Sequence, residues 1–135
     1  MEIFQSGFEV KTSKRIEVID ITEEVEKTVE RSGIKNGVCL IFIPHATASI
    51  VLEENEAGLI KDIENTIKKI FLNEKYEHDR IDNNAYAHIA SGFIGQSRIY
   101  PIKDRKILRG KWQNTLLIEL DGPRKRDVLI TIIGK

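Results

Sequence analysis

Most of the chemistry this chain's side chains could perform rests on its three histidines, and none of them lies in a plain apolar run. His45 belongs to Ile43-Pro44-His45-Ala46-Thr47-Ala48-Ser49, and the stretch runs on through Ile50-Val51-Leu52 to Glu53-Glu54-Asn55-Glu56. His78 falls in Tyr76-Glu77-His78-Asp79, and His88 in Asn84-Ala85-Tyr86-Ala87-His88-Ile89. A neutral imidazole can ligate a metal or move a proton near neutral pH. Hydroxyls such as those of Thr47 and Ser49 can orient oxyanions, and one carboxylate of the Glu53-Glu54-Asn55-Glu56 run could serve as base or ligand. Three histidines around one zinc would leave a fourth position for water or substrate. The plainer reading makes each histidine a surface or hydrogen-bonded residue, with Asn55 capping the next helix and Glu56 favouring its positive end. The spacings match no compact ligand motif, so convergence depends on the fold.

A second group lies near the C-terminus. Glu119 interrupts an otherwise apolar strand pattern, Leu116 to Leu120, and is either paired in the core or turned toward the polar cluster. Arg124-Lys125-Arg126 follows the turn Asp121-Gly122-Pro123 and is either a solvated basic turn or an oxyanion grip. Residues 124 and 126 share parity, so an extended backbone points both to one face.

The length, 135 residues, fits one domain able to bury about two thirds of its unfolded surface. Lys plus Arg and Asp plus Glu stand at 21 each, so the total charge points to neither nucleic acid nor an anionic membrane. No aromatic residues interleave with a basic stripe, which also speaks against nucleic acid. The charged share of 31%, mostly Lys and Glu, leans toward a thermophilic source. Cys39, the single cysteine, lies inside Val38-Cys39-Leu40-Ile41-Phe42 and reads as a buried, inert thiol. No apolar leader or membrane-length run is visible, and a soluble cytoplasmic protein is expected.

The elements that must position these residues follow from periodicity. Ile3 to Thr12 reads as a strand broken near Gly7, and Arg15 to Asp20 as its hairpin partner across Ser13-Lys14. Ile21 to Arg31 is a helix, capped by Asp20 or Thr22 and stopped at Ser32-Gly33. Gly37 to Ile43 is apolar at nearly every position and predicts a strand buried on both faces. The Leu59, Ile60, Ile63, Ile67, Ile70 and Phe71 spacing predicts a helix over 57–72. A short helix is expected over 87–93. Arg98 to Ile102 reads as a strand held near an edge by Pro101. Ile107-Leu108 starts a hairpin, Trp112 to Leu120 is a long strand, and Val128 to Ile133 a last one.

The motifs His45-Ala-Thr-Ala-Ser-Ile, Leu52-Glu-Glu-Asn-Glu56, Tyr76-Glu-His-Asp79 and Asn84-Ala-Tyr-Ala-His-Ile89 resemble the YjbQ-like family. Gly95-Gln-Ser97, Gly110-Lys-Trp-Gln113 and Glu119-Leu-Asp-Gly-Pro-Arg124 continue the resemblance in the same order, over essentially the whole chain. It implies a single α+β domain with a β-sandwich-like core of about eight or more mainly antiparallel strands and two to three helices. It also implies a homotrimer and a secondary, thiamine-phosphate-synthase-like activity. The matched positions imply His45, Thr47, Ser49, Glu54, Asn55 and His88 as catalytic. Ser97, Gln113, Glu119, Arg124 and Arg126 are expected substrate contacts; the placement of His45, His78 and His88 in polar, motif-like segments adds the expectation that they ligate a divalent metal, zinc or magnesium. Tyr86 and Asn114 depart from the commoner residues, a small or acidic one and glycine. The implied reaction displaces diphosphate from a pyrimidine-methyl carbon by a thiazole nitrogen, so leaving-group charge must be stabilised. Phosphate-ester hydrolysis at a metal, or ligand binding by a trimer without dedicated catalysis, are the alternatives.

Overall fold

The computed structural model describes residues 1–72 and 74–135. Among the described residues, eight strands and four helices follow one another in an α+β arrangement. Strands β1 (Glu2–Lys11), β8 (Lys125–Gly134), β3 (Gly37–Phe42), β5 (Ser97–Lys103) and β6 (Lys106–Ile107) form one antiparallel sheet in that order. Strands β2 (Glu17–Asp20), β7 (Asn114–Glu119) and β4 (Ala48–Glu53) form a second. The two pack face to face over a core that joins Cys39, Ile41, Tyr100, Ile130 and Ile132 to Ala48, Ile50 and Leu117. Helix α1 (Thr22–Ser32) adds Val25 and Val29 to that core. Helices α2 (Ala57–Phe71) and α4 (Ala85–Ile94) cover the other face of the smaller sheet, packing Ile67, Ala87 and Ala90 on Ile118 and Leu120. A single turn, α3 (Asp79–Asp82), precedes α4.

Several expectations change. The first strand is unbroken at Gly7 because its partner is β8, not the residues after Ser13-Lys14. A Cβ at Gly7 would stand 2.9 Å from the Val128 carbonyl oxygen, so glycine there permits close pairing. Residues 13–16 carry the chain across to the second sheet, where β2 pairs with β7. Strand β4 was hidden in the sequence by its small and polar residues: Ala48, Ile50 and Leu52 point into the core, while Ser49 and Val51 point to the helices. Arg126 lies within β8 rather than at a turn. Pro101 sits one strand inside the edge; its carbonyl accepts from Leu108 N at 2.8 Å, so the missing N–H faces the short β6 side rather than β3.

Strand β3 is not buried on both faces. Cys39 and Ile41 are fully buried, but Val38 and Phe42 are 41% and 42% exposed. Leu129 and Ile99 flank them at matched register, as Phe42↔Leu129 and Leu40↔Ile99. The larger sheet therefore presents an apolar outer face that the chain itself leaves uncovered. Burial pushes the Cys39 thiol up to about 12, which fits an inert core residue. Among the described residues, no helix is long and apolar enough to cross a membrane.

Candidate functional site

The sequence candidates separate into three places. The first lies at one end of the sandwich, where β7 and β8 bring Glu119 and Arg126 together between the sheets. Both are buried, at 0% and 2% exposure. Arg126 Nε donates to Glu119 Oε1 at 2.8 Å, and Nη2 donates to Glu119 Oε2. Nη2 also donates to the Thr47 carbonyl and to Thr47 Oγ1, each at 2.9 Å. Thr12 Oγ1 donates to Glu119 Oε1 at 2.7 Å and accepts from Arg124 N at 2.8 Å. The amides of Leu120 and Asp121 complete the carboxylate shell at 3.0 and 2.9 Å. Burial alone would raise the Glu119 carboxyl, but Arg126, the Asp121 amide and Thr12 together hold it below the ordinary carboxylate value. Glu119 is thus paired in the core and also faces the polar cluster. Gly122 fits this corner closely, since a Cβ there would lie 2.2 Å from the Lys14 carbonyl oxygen.

His45 sits half-buried beside this pair. The Asp127 backbone N–H donates to its Nε2 at 2.9 Å. That bond uses the one lone pair of a neutral imidazole and puts the ring proton on Nδ1. Burial, first, and then the Arg126 guanidinium hold His45 below its ordinary value, against Asp127 and Glu119, so the ring is neutral at pH 7. Arg124 braces the turn instead of pairing with Glu119: Nε donates to the Asp121 carbonyl at 2.7 Å and Nη2 to Asp121 Oδ2 at 2.9 Å. Its side chain is 52% exposed.

His78 and His88 form the second place. Helix α4 carries His88, and His78 precedes α3; the rings meet edge to face with centroids 4.9 Å apart. They border an open hollow of about 550 Å³ with Tyr76, Glu77, Ala85 and Ile89. Among the described residues, no group of three His, Cys, Asp or Glu is arranged to hold a metal, and the His45 lone pair is already committed. Among the described residues of one chain, the three histidines form no such group.

The third place gathers Asn55, Asn114 and Asp20. Asn55 Nδ2 donates to Asp20 Oδ2 at 2.8 Å and Asn114 Nδ2 at 3.1 Å, while Thr22 donates its N–H to Asp20 Oδ1. Burial would raise the Asp20 carboxyl, but Thr22, Asn55 and Asn114 bring it below the ordinary value. Asn55 therefore anchors the segment to the start of α1, and Glu56 is the residue that caps α2, accepting from Gly58 N and Leu59 N. Glu54 is half-buried after β4. Ser49 is fully buried beneath the helices, and its hydroxyl has no partner among the described residues. Gln113 Oε1 accepts from Gly110 N at 2.8 Å, closing its own loop. Ser97 opens β5 opposite Phe42, at the exposed apolar face. Sequence reasoning missed Thr12 and Asp127 and read Asp20 only as a cap of α1. Thr12 and Asp20 offer only a polar residue at a strand end, and Asp127 acts through its backbone.

A family model described as UPF0047 protein YjbQ-like matches residues 6–135. A UPF0047 protein of Archaeoglobus fulgidus is 42% identical, covering 90% of this chain and 94% of its own. One from Methanothermobacter thermautotrophicus is 38% identical over 100% of this chain and 95% of its own. The crystal structure of a YbjQ-like protein of unknown function from Sulfolobus solfataricus superimposes with a TM-score of 0.97 at 44% identity, covering 99% of both chains. A hypothetical protein from Aeropyrum pernix gives 0.95 at 35% identity, covering 100% of both.

Removing one member of the buried pair should be severe. Glu119→Gln leaves the Arg126 charge uncompensated and is expected to cost about 3–5 kcal/mol, whereas Glu119→Leu with Arg126→Met together should recover most of it. Because the folded carboxyl lies below its unfolded value, its contribution is present above the unfolded value and is lost as pH falls through the folded one. Urea unfolding at pH 7 and at about pH 3 checks this: wild type should lose more stability on acidification than Glu119→Gln. A Glu119→Gln protein within about 1 kcal/mol of wild type at pH 7 contradicts the assignment.

Proposed function

Since the chain belongs to the UPF0047 family of YjbQ-like proteins, we propose that it is an enzyme of small phosphorylated molecules. Its reaction is thiamine-phosphate-synthase-like, and it works as a homotrimer in the cytoplasm. The observation that carries the reading is His45. Its Nε2 is held by the Asp127 amide, so it presents a neutral Nδ1–H donor beside Arg126 and Arg124. A neutral N–H donor next to guanidinium groups suits a phosphate oxygen without needing a free base. In the proposed reaction a thiazole nitrogen forms the new N–C bond as the C–O bond to diphosphate breaks, and the electron pair leaves on the diphosphate. Arg124 and His45 receive that charge, and Arg126, itself fixed by Glu119 and Thr47, adds positive potential from behind.

Assembly supplies the rest of the site in this proposal. Val38, Phe42, Ile99 and Leu129 form the uncovered face of the larger sheet, and a second copy is the cover proposed for it. Asp127 shares that face with Leu129, so the His45 corner would border the subunit boundary. His78 and His88 would hold zinc in preference to magnesium, which favours oxygen ligands, with water or substrate oxygens completing the shell. When bound, the ion would neutralise phosphate charge. A second reading, a ligand-binding trimer without dedicated catalysis, is favoured by one observation: Arg126 Nε and Nη2 are already committed to Glu119 and Thr47. Hydrolysis of a phosphate ester would call on a metal-bound water at the His78–His88 pair and has no further support.

Calorimetric titration of thiamine phosphate and of inorganic phosphate tests the anion site. Arg124→Ala should weaken binding by about ten- to a hundredfold, the value of one charge-assisted hydrogen bond. Unchanged affinity removes Arg124 from the site. Wild-type binding without product from the two thiamine precursors selects the second reading.

Light scattering should give a mass near three times 15.5 kDa at micromolar concentration, and Phe42→Asp should lower it. A stable wild-type monomer contradicts the assembly.

A further inference from the structure

Helix α2 carries an apolar stripe broader than the surface it covers. Only Ile67 of the helix is buried, although Leu59, Ile63, Ile70 and Phe71 recur on the same stripe at spacings of three and four. Between that stripe and Val51, Ile118 and Ile94 runs an open groove of about 410 Å³. A second hollow of about 390 Å³, lined by Tyr76, Ile89 and Phe93, shares Ile70 and Phe71 with it, so the two form one channel. Phe93 is 80% and Ile70 57% exposed. The Phe71 and Phe93 rings stand 6.1 Å apart and make an aromatic lip. From Leu59 to Phe71 the channel follows about 18 Å of helix, just over three turns. That is the footprint of one further helix laid beside α2, and too long and open for a compact ligand.

Charge selects the occupant. Glu53 and Asp62 line the first hollow and Glu74 the second, and among the described residues no Lys or Arg lines either. A second copy of this chain is a poorer match: the exposed side of α1 is mainly acidic, with Glu23, Glu24, Glu26 and Glu30, α4 carries no Lys, Arg, Asp or Glu, and α2, although amphipathic, offsets two of its three lysines with Asp62 and Glu64. The channel also lies on the helix-covered side of the smaller sheet, away from the uncovered face of the larger one, so it stays open in the proposed trimer. We propose that this channel docks an amphipathic, Lys- or Arg-rich helix of a partner protein. Its apolar stripe seats on Ile70, Phe71 and Phe93, and its cations pair with Glu53, Asp62 and Glu74. The inference is independent of the anion site at His45.

The probe is a fluorescein-labelled helical peptide of about fourteen residues, with leucines at spacings of three and four and lysines elsewhere. A twin carries glutamate in place of lysine. Fluorescence anisotropy should show the lysine peptide binding at least about tenfold more tightly than its twin. Ile70→Asp, at a position exposed enough to leave the fold intact by circular dichroism, should weaken it by about tenfold or more. Glu53→Lys with Asp62→Lys should reverse the preference between the peptides. Equal binding of both peptides, or binding indifferent to Ile70→Asp, overturns the proposal. So does an absence of binding, and if Ile70→Asp then lowers the protein's own mass, a second copy is the occupant instead.

Discussion

Where the two sheets meet at one end of the sandwich, a carboxylate and a guanidinium are buried against each other, and each draws its remaining partners from a different stretch of chain. Glu119 takes Thr12 and two backbone amides; Arg126 takes the carbonyl and hydroxyl of Thr47. Taking both charges out of water costs several kcal/mol per ion, on the order of what their attraction returns, so the pair is tolerable only because its bonds are made. That requirement links the end of β1, the approach to β4, the end of β7 and the start of β8. The direction of the chain after Ile43, and with it the position of His45, depends on Thr47 being held there. The same pair sets the electrostatics of the corner, because Arg126 helps keep the neighbouring imidazole neutral.

Much of the frame was legible in the sequence because periodicity reports burial directly. The stripe from Leu59 to Phe71 marked α2 nearly to its ends, and the α+β class with mainly antiparallel strands that the family resemblance implies is the one observed. The failures have physical causes. Strand β4 opens with the small residues Ala48 and Ser49 and continues as an unbroken apolar run, Ile50-Val51-Leu52, so it lacks the polar–apolar alternation that marks a half-buried pleat. Pairing partners are set by the whole sheet, so β1 and β2 looked like a hairpin although they belong to different sheets. The apolar run Val38 to Phe42 implied two covered faces, while the chain covers one; composition reports what must be buried, not which molecule buries it.

The candidate site was legible as residue types and not as geometry. His45, Thr47, Glu119 and Arg126 do meet, and His78 meets His88, but Asn55 is drawn away to Asp20. No spacing rule connects a strand-end threonine at position 12 with a glutamate at 119; only strand order does. The role of Asp127 could not be read from its side chain, because its backbone N–H is what fixes the imidazole. The histidines thus divide into one fixed by a backbone N–H beside the buried ion pair and two that meet edge to face, a division that a shared motif list conceals.

The central claim is that His45 is a neutral Nδ1–H donor aimed at an oxyanion. Long-range proton–nitrogen NMR of the three histidines reports tautomer and titration directly. The structure predicts the Nδ1–H form of His45 at neutral pH and titration below its ordinary value of 6.5. Addition of inorganic phosphate should shift the His45 Nδ1 resonance and raise its titration point, since an anion favours the imidazolium. An Nε2–H tautomer, or a His45 signal that ignores saturating phosphate, would contradict the account.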